Sequence, residues 1–395
     1  LLQKLRDRYG ANGFLHFGQG KWYPGEQLPR WALSAYWRAD GEPCWLNPYL
    51  FADEQQPQHY TERDALRFIR LLSAKLGVSD EFLVPGYEDA WYYLWRERRL
   101  PVNVDPHDAR LDDELERARL RKVFDQGLDK VVGYALPLQR DPLGGINSNA
   151  WVSGRWFLRD ERMYLIPGDS PMGYRLPLDS LPWVSKGDYP WQFDQDPFAE
   201  RSALPTAAAL RAQYPHAKPA AAALTLHAAG QTPPARFESA RHIVRSSLCV
   251  ETRNGHLYVF LPPLTQLDDY LDLLAALEST AAELKLQIIL EGYPPPRDPR
   301  LKVLQVTPDP GVIEVNIHPA SNWDELVDHT EFLYQAAHET RLSSEKFMLD
   351  GRHSGTGGGN HIVLGGATAA DSPFLRRPDL LASLIAYWHN HPSLS

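Results

Sequence analysis

The dipeptide Asn254-Gly255 constrains the fold of this chain more than any other short feature. It joins two apolar runs, 247–251 and 256–261. Asn and Gly readily adopt the positive φ angles of a two-residue turn, whose twist matches that of antiparallel strands. The sequence therefore predicts a β-hairpin here, and any fold of the chain has to include it.

The residues after this hairpin predict further helices and strands. Leucines recur at helical spacing over 268–284, and the apolar run 287–290 predicts a strand. A second hairpin is expected around Pro308-Asp-Pro-Gly311. Its strands are 301–306 and 312–318, and the chain continues with helices at 323–340 and 378–388 and a strand at 361–364.

The first half of the chain mixes both kinds of element as well. Thr61 can cap a helix over 61–75, in which apolar residues recur at helical spacing. The other elements predicted there are helices at 87–98 and 110–124 and strands at 131–138, 151–158 and 162–166. We therefore expect an α+β protein.

A change in composition predicts two domains. Ten of the 12 tryptophans precede residue 192, and a stretch rich in Ala and Pro follows at about 199–235. Such a stretch buries little apolar surface, which is typical of a linker. We predict an aromatic-rich α+β region at 1–195, a linker at 196–238 and a second domain at 239–395. The start at Leu1 without Met, and the end at Ser395 after a helical pattern, lead us to expect a piece of a longer protein.

Charge and cysteine content limit the classes of function. The net charge is −9, which argues against a large nucleic-acid surface. No apolar run approaches the roughly 18 residues of a membrane span, and no leader pattern is visible. Two cysteines, Cys44 and Cys249, cannot form a disulfide framework. We expect a cytoplasmic protein without membrane or nucleic-acid partners.

The predicted strand 312–318 carries the first candidate site. Alternation places Glu314, Asn316 and His318 on one face. These three side chains coordinate metals or water bound to phosphates. On this strand alone, a half-buried strand with one solvated face is the preferred explanation, and only the identity of the three side chains favours a site.

The glycine-rich segment 351–361 is the second candidate. Four glycines in five positions let backbone N–H groups approach a phosphate. Neither the P-loop nor the Gly-x-Gly-x-x-Gly fingerprint is present. Arg352, His353 and His361 flank the glycines, so anion binding and a loop without a ligand both remain open.

Two acidic residues end apolar strands elsewhere. Glu251 closes the run 248–250, and Glu291 closes the run 288–290. Such residues are usually solvated. Together with Glu314 they would give one sheet three carboxylates, which Mg²⁺-nucleotide chemistry requires.

These motifs resemble known ligases at two levels. The order Glu314-Val-Asn316, helix, glycine-rich loop, His361 and final helix is remotely similar to glutamine-synthetase-like carboxylate–amine ligases over about 241–395. Nearly the whole chain resembles a bacterial amidoligase family of uncharacterised function, often fused to transglutaminase-like domains. The segments that carry the closer resemblance are 18–31, 167–171, 291–296 and 351–361.

The resemblance implies a partial glutamine-synthetase-like domain with a mostly antiparallel sheet and packed helices. It implies that ATP activates a peptide or amino-acid-like carboxylate as an acyl phosphate, which an amine attacks, with Mg²⁺ or Mn²⁺ as the metal. A fused or neighbouring transglutaminase-like domain is an implied partner. The residues carried over are Glu251, Glu291, Glu314 and His361 as metal ligands, Glu314, His361 and Arg352 as catalytic residues, and Gly355, Gly357, Gly358, Gly359, Asn360 and His353 for the nucleotide.

The chain departs from the ligase pattern in three places. Arg253 stands where the second acid of Glu-x-Glu is expected, and Val363 where the second histidine of His-x-His is expected. The arginines of the last motif would lie beyond Ser395. We therefore expect no ligase activity from this segment alone.

Two other functions remain open from the sequence. A metal-dependent hydrolase could use His353, His361 and nearby acids without a nucleotide. A non-catalytic module could bind peptide or glycan through Trp22, Trp31 and Trp37, although large aromatic residues more often pack in a core.

Overall fold

The computed structural model describes most of the chain. The described residues are 1–20, 30–103, 114–141, 151–160, 162–191, 193, 195–196, 199–215, 232–309, 312–354, 364–366 and 368–394. Contacts divide them into two units. The first comprises Leu1–Pro308 and Val315–Leu342, and the second comprises Asp309–Glu314 and Ser343–Ser395.

A large sheet dominates the first unit. Within this unit its strands follow the order β11-β2-β1-β10-β9-β8-β4-β3-β7. Most neighbours are antiparallel, but β10 runs parallel to β9 and β1, and β7 runs parallel to β3. The expected α+β class is confirmed. The strands are β1 Phe14–Gln19, β2 Trp31–Arg38, β3 Val84–Glu88, β4 Val131–Pro137, β7 Met163–Leu165, β8 Ser247–Arg253, β9 His256–Leu261, β10 Ile288–Gly292, β11 Leu301–Asp309 and β12 Val312–Asn316, while β5 Gln139–Arg140 and β6 Trp151–Val152 pair separately.

The predicted hairpin between β8 and β9 is confirmed. The two strands pair from Cys249↔Phe260 to Arg253↔His256. Asn254 has φ 50° and Gly255 φ 80°, the left-handed values that this turn requires. The dipeptide thereby fixes which residues of β8 and β9 share a face.

Two helices cover one face of the sheet. Helix α2 (Glu62–Leu76) begins at the predicted cap, where the Thr61 N–H donates to Asp64 at 2.9 Å. Helix α6 (Leu267–Leu284) connects the parallel strands β9 and β10. Their apolar sides form the largest core with the sheet, including Phe68, Leu72, Tyr270, Leu274, Val250 and Leu290.

The remaining helices of the first unit correct several boundaries. Helix α3 is Ala90–Glu97, so Tyr87 and Glu88 belong to β3 and not to the predicted helix 87–98. Of the predicted strand 151–158, only Trp151–Val152 forms a strand, β6. The chain then leaves the strand conformation, and the buried Trp156 donates its ring N–H to the Val244 carbonyl at 2.7 Å. The other helices are α1 Leu2–Tyr9, α4 Glu114–Gln126, α5 Ala207–Arg211 and α7 Trp323–Glu339.

The described part of the predicted linker packs into the first unit. Leu210 and Tyr214 are buried in the main core, and the Tyr214 hydroxyl donates to Asp272 of α6 at 2.7 Å. Residues 216–231 lie outside the described residues. The predicted division into 1–195 and 239–395 differs from the observed units, because strands from both ranges alternate in one sheet. The amino-acid composition of a segment reflects local burial. It carries no information on pairing between strands that are distant in sequence.

The second unit contains a short hairpin and two helices. Strands β13 (Lys346–Phe347) and β14 (His353–Ser354) pair antiparallel. Helix α8 spans Pro373–Arg376, and α9 spans Pro378–His389 as predicted. The predicted strand 361–364 falls largely on residues outside the description. Among the described helices, none is long and apolar enough to cross a membrane.

Candidate functional site

Strand alternation places the two predicted strand-end acids on the same face of the sheet. Glu251 and Arg253 are two residues apart on β8, so both point to the face opposite α2 and α6. Tyr258 pairs with Glu251 on β9, and Glu291 pairs with Phe260 from the other side of that strand. Glu251, Tyr258 and Glu291 therefore share this face.

A single guanidinium joins the two acids. Arg253 Nη1 donates to Glu251 Oε1 at 2.7 Å and to Glu291 Oε1 at 3.2 Å. Arg253 Nη2 also donates to Glu291 Oε2. The two acids are 4% and 2% exposed and therefore desolvated, whereas the Arg253 side chain is 24% exposed. Three charged groups from two strands thus form one cluster, in which the two acids are buried and the guanidinium is partly exposed.

Aromatic packing holds the guanidinium in place. Its carbon lies 3.7 Å from the centre of the Tyr258 ring, a cation–π contact. The Tyr258 hydroxyl donates to Glu54 at 2.6 Å. Burial raises the pKa of Tyr258, and the acceptor Glu54 raises it further. Tyr258 therefore remains a protonated donor at neutral pH.

The electrostatics of the cluster alter the protonation of Glu291. Burial raises its pKa above the ordinary value of a carboxyl group, Arg253 opposes this rise, and the neighbouring Glu251 charge adds to it. With both acids ionised the cluster carries one net negative charge, and with Glu291 protonated it is neutral. Groups with such perturbed pKa values concentrate at functional sites.

A turn from the first half of the chain covers the cluster. The Met172 N–H donates to Glu251 Oε1 at 2.7 Å, and the Tyr174 hydroxyl donates to the Gly292 carbonyl at 3.2 Å. Gly173 lies so close to Phe260 that a Cβ atom would be 2.2 Å from its ring. The turn 172–175 directly follows the motif 167–171, one of the segments that carry the family resemblance.

The acidic pair does not fit a Mg²⁺ ion. Mg²⁺ needs near-octahedral oxygen ligands at about 2.1 Å, usually with several waters. Here the guanidinium of Arg253 already lies between the carboxylates and binds both. Among the residues that the structure describes, no group of three or more His, Cys, Asp or Glu is arranged to hold a metal. The predicted metal role of Glu251 and Glu291 therefore lacks a geometric basis.

The other predicted site residues lie in the second unit or outside the description. Glu314 is half-buried on β12. Arg352 is exposed and donates from Nε to Asp350 at 2.7 Å, and the His353 ring packs 5.5 Å from Phe347. The residues outside the description are Gly355, Gly357, Gly358, Gly359, Asn360 and His361.

The tryptophans proposed to bind peptide or glycan do not form a common surface among the described residues. Trp37 is buried in a core with Leu304, whereas Trp31 is 46% exposed. Trp22 lies outside the described residues.

Sequence reasoning missed the residues that complete the cluster. Arg253 was noted only as a departure from the ligase pattern, although its two-residue spacing from Glu251 placed both on one face. The register set by Asn254-Gly255 could also have placed Tyr258 opposite Glu251. Glu54 and the turn 172–175 carry no local pattern that points to this site.

The chain was compared with known protein families, curated proteins and solved structures. A family model described as "Putative amidoligase enzyme (DUF2126)" matches residues 1–395. No curated protein matched the chain. No solved structure matched it either.

Proposed function

The chain belongs to the "Putative amidoligase enzyme" family, and on this premise we propose that it is a carboxylate–amine ligase driven by ATP and Mg²⁺. The proposed substrates are a peptide or amino-acid-like carboxylate and an amine. The γ-phosphoryl group of ATP is transferred to the carboxylate with release of ADP. The amine then displaces inorganic phosphate, loses a proton and forms the amide.

A divalent ion would neutralise the phosphates and orient the transferred group. Glu314 and His361 remain its proposed ligands. The nucleotide is proposed to contact the glycine-rich segment around 355–360. These assignments rest on the resemblance of the motifs.

The cluster of Glu251, Arg253 and Glu291 is the observation that carries the proposal. Burying charged groups costs free energy, and an apolar replacement of similar shape is often as stable. Such a cluster therefore favours a functional role over a purely structural one. Its net negative charge when both acids are ionised suits a cationic amine.

Glu291 is the proposed acceptor of the proton that the amine loses. A general base works best when its pKa lies near the operating pH, and burial raises the pKa of Glu291 in that direction from its ordinary value. Removing such a base typically lowers the rate by 10²–10⁴-fold. We expect this loss mainly in kcat for Glu291→Gln, with a much smaller change in the KM for ATP.

Product analysis on the full-length protein tests the proposal. Candidate carboxylates and amines are incubated with ATP and Mg²⁺, and ADP release and amide mass are measured. We expect ADP release to require both substrates and to fall in Glu291→Gln, while the exposed control His59→Gln retains the rate. Metal-dependent bond cleavage without a nucleotide would instead identify a hydrolase. Unchanged turnover in Glu291→Gln would refute the role of Glu291.

A further inference from the structure

We propose that Arg253 takes the place of a divalent metal ion between Glu251 and Glu291, so that these carboxylates hold a guanidinium and not a metal. The two acids lie on strands that β9 separates, and each makes its ion pair with this same side chain. The inference is independent of ligase activity, since it concerns which cation the pair holds.

The geometry of the guanidinium supports this assignment. Nη1 donates to one oxygen of each acid, and Nη2 donates to the second oxygen of Glu291. The remaining contact to Glu251 comes from the backbone N–H of Met172. A metal ion that bound both carboxylates would have to displace Arg253.

The surroundings oppose such a displacement. Arg253 is held to the sheet by the Tyr258 ring beneath it, and Glu54 fixes that ring through its hydroxyl. Arg253 is also two residues from Glu251 on the same strand, so little backbone freedom separates them. Tyr258 and Glu54 act here as positioning residues for the guanidinium.

Removing the guanidinium changes what the pair can bind. Two carboxylates left close together without a cation repel each other. Oxygen ligands of this type suit Mn²⁺ and Mg²⁺. The substitution Arg253→Ala should therefore create a divalent cation site that the natural chain lacks.

Mn²⁺ binding without a nucleotide tests the proposal, with free Mn²⁺ measured by electron paramagnetic resonance at pH 7.5. The wild-type chain, Glu251→Gln and Glu291→Gln should bind the same number of ions with Kd values within about twofold, a change of under 0.5 kcal/mol. Arg253→Ala should gain one ion, and the double variant Arg253→Ala/Glu291→Gln should lose it again. Arg377→Ala is the matched control, because Arg377 also pairs with an acid two residues away but is exposed.

Several results would overturn the proposal. One is the loss of a bound ion in Glu251→Gln or Glu291→Gln while Arg253 is intact, and another is a folded Arg253→Ala that gains no ion. If circular dichroism shows that Arg253→Ala does not fold, the comparison of wild type with the two Glu→Gln variants decides alone. Because no nucleotide is present, an absence of ligase activity leaves this result unaffected.

Discussion

Glu251 and Glu291 lie on strands separated by β9, yet both carboxylates bind the guanidinium of Arg253. The sequence grouped these two acids with Glu314 on one sheet and assigned all three to a metal. The structure shows that the chain supplies a cation itself. The stability of the fold, the protonation of the two acids and the binding of ligands to them should therefore depend on Arg253.

Arg253→Lys should destabilise the fold despite the retained charge. A single ammonium cannot reproduce the paired contacts of a planar guanidinium. Weakening a buried ion pair of this kind should cost about 2–3 kcal/mol. Urea unfolding followed by tryptophan fluorescence measures the change, and Arg377→Lys at the exposed pair should leave the free energy of unfolding nearly unchanged. Equal effects of the two substitutions would contradict the account.

Gly173→Ala tests the turn that covers the cluster. The new Cβ atom would lie 2.2 Å from Phe260, so the turn has to move and the Met172 contact to Glu251 weakens. Overpacking of this kind should cost about 1–3 kcal/mol. Gly168→Ala is the control, because a Cβ there would meet no atom within 4 Å. Thermal unfolding should lower Tm for Gly173→Ala alone, and a Tm equal to that of the control would exclude the proposed packing.

His16 should make the fold acid-sensitive. Burial lowers its pKa from 6.5 to about 4, and the Tyr293 and Glu291 carbonyls oppose this shift in part. Below pH 6.5 the His16 side chain therefore binds a proton in the unfolded chain. In the folded chain it binds this proton only at about pH 4 and below. Stability is therefore retained above pH 6.5 and falls as the pH drops towards 4, by up to about 3 kcal/mol.

Urea midpoints between pH 7.5 and 4.5 measure this dependence. His16→Gln should flatten the decrease, since the substituted side chain does not titrate. The exposed His59→Gln should leave it unchanged. A decrease in His16→Gln as steep as in the wild type would show that other groups cause the acid sensitivity.

Local features of the fold were predictable from sequence. Asn254-Gly255 fixed a hairpin because its backbone preferences are intrinsic to two adjacent residues. The cap at Thr61 and the leucine spacing of α6 are patterns that extend over only a few helical turns, so the sequence shows them directly. Helices and strands that depend on such short-range rules agree with their predicted ranges within a few residues.

Long-range pairing was not predictable in the same way. The parallel pairing of Phe17 with Glu291 joins segments that are far apart in sequence, and no local pattern predicts it. For the same reason the packing of Tyr214, which lies in the predicted linker, against Asp272 of α6 could not be predicted. The roles of Glu54 and Met172 at the cluster follow from this packing, and they could not be predicted from the sequence.

Anomalous diffraction at the manganese edge, from crystals grown in Mn²⁺, tests most directly whether Arg253 or a metal ion lies between Glu251 and Glu291. We predict density for the Arg253 guanidinium between Glu251 and Glu291, with no manganese peak bonded to either carboxylate. A manganese peak at about 2.2 Å from oxygens of both acids, with Arg253 displaced, would contradict the account.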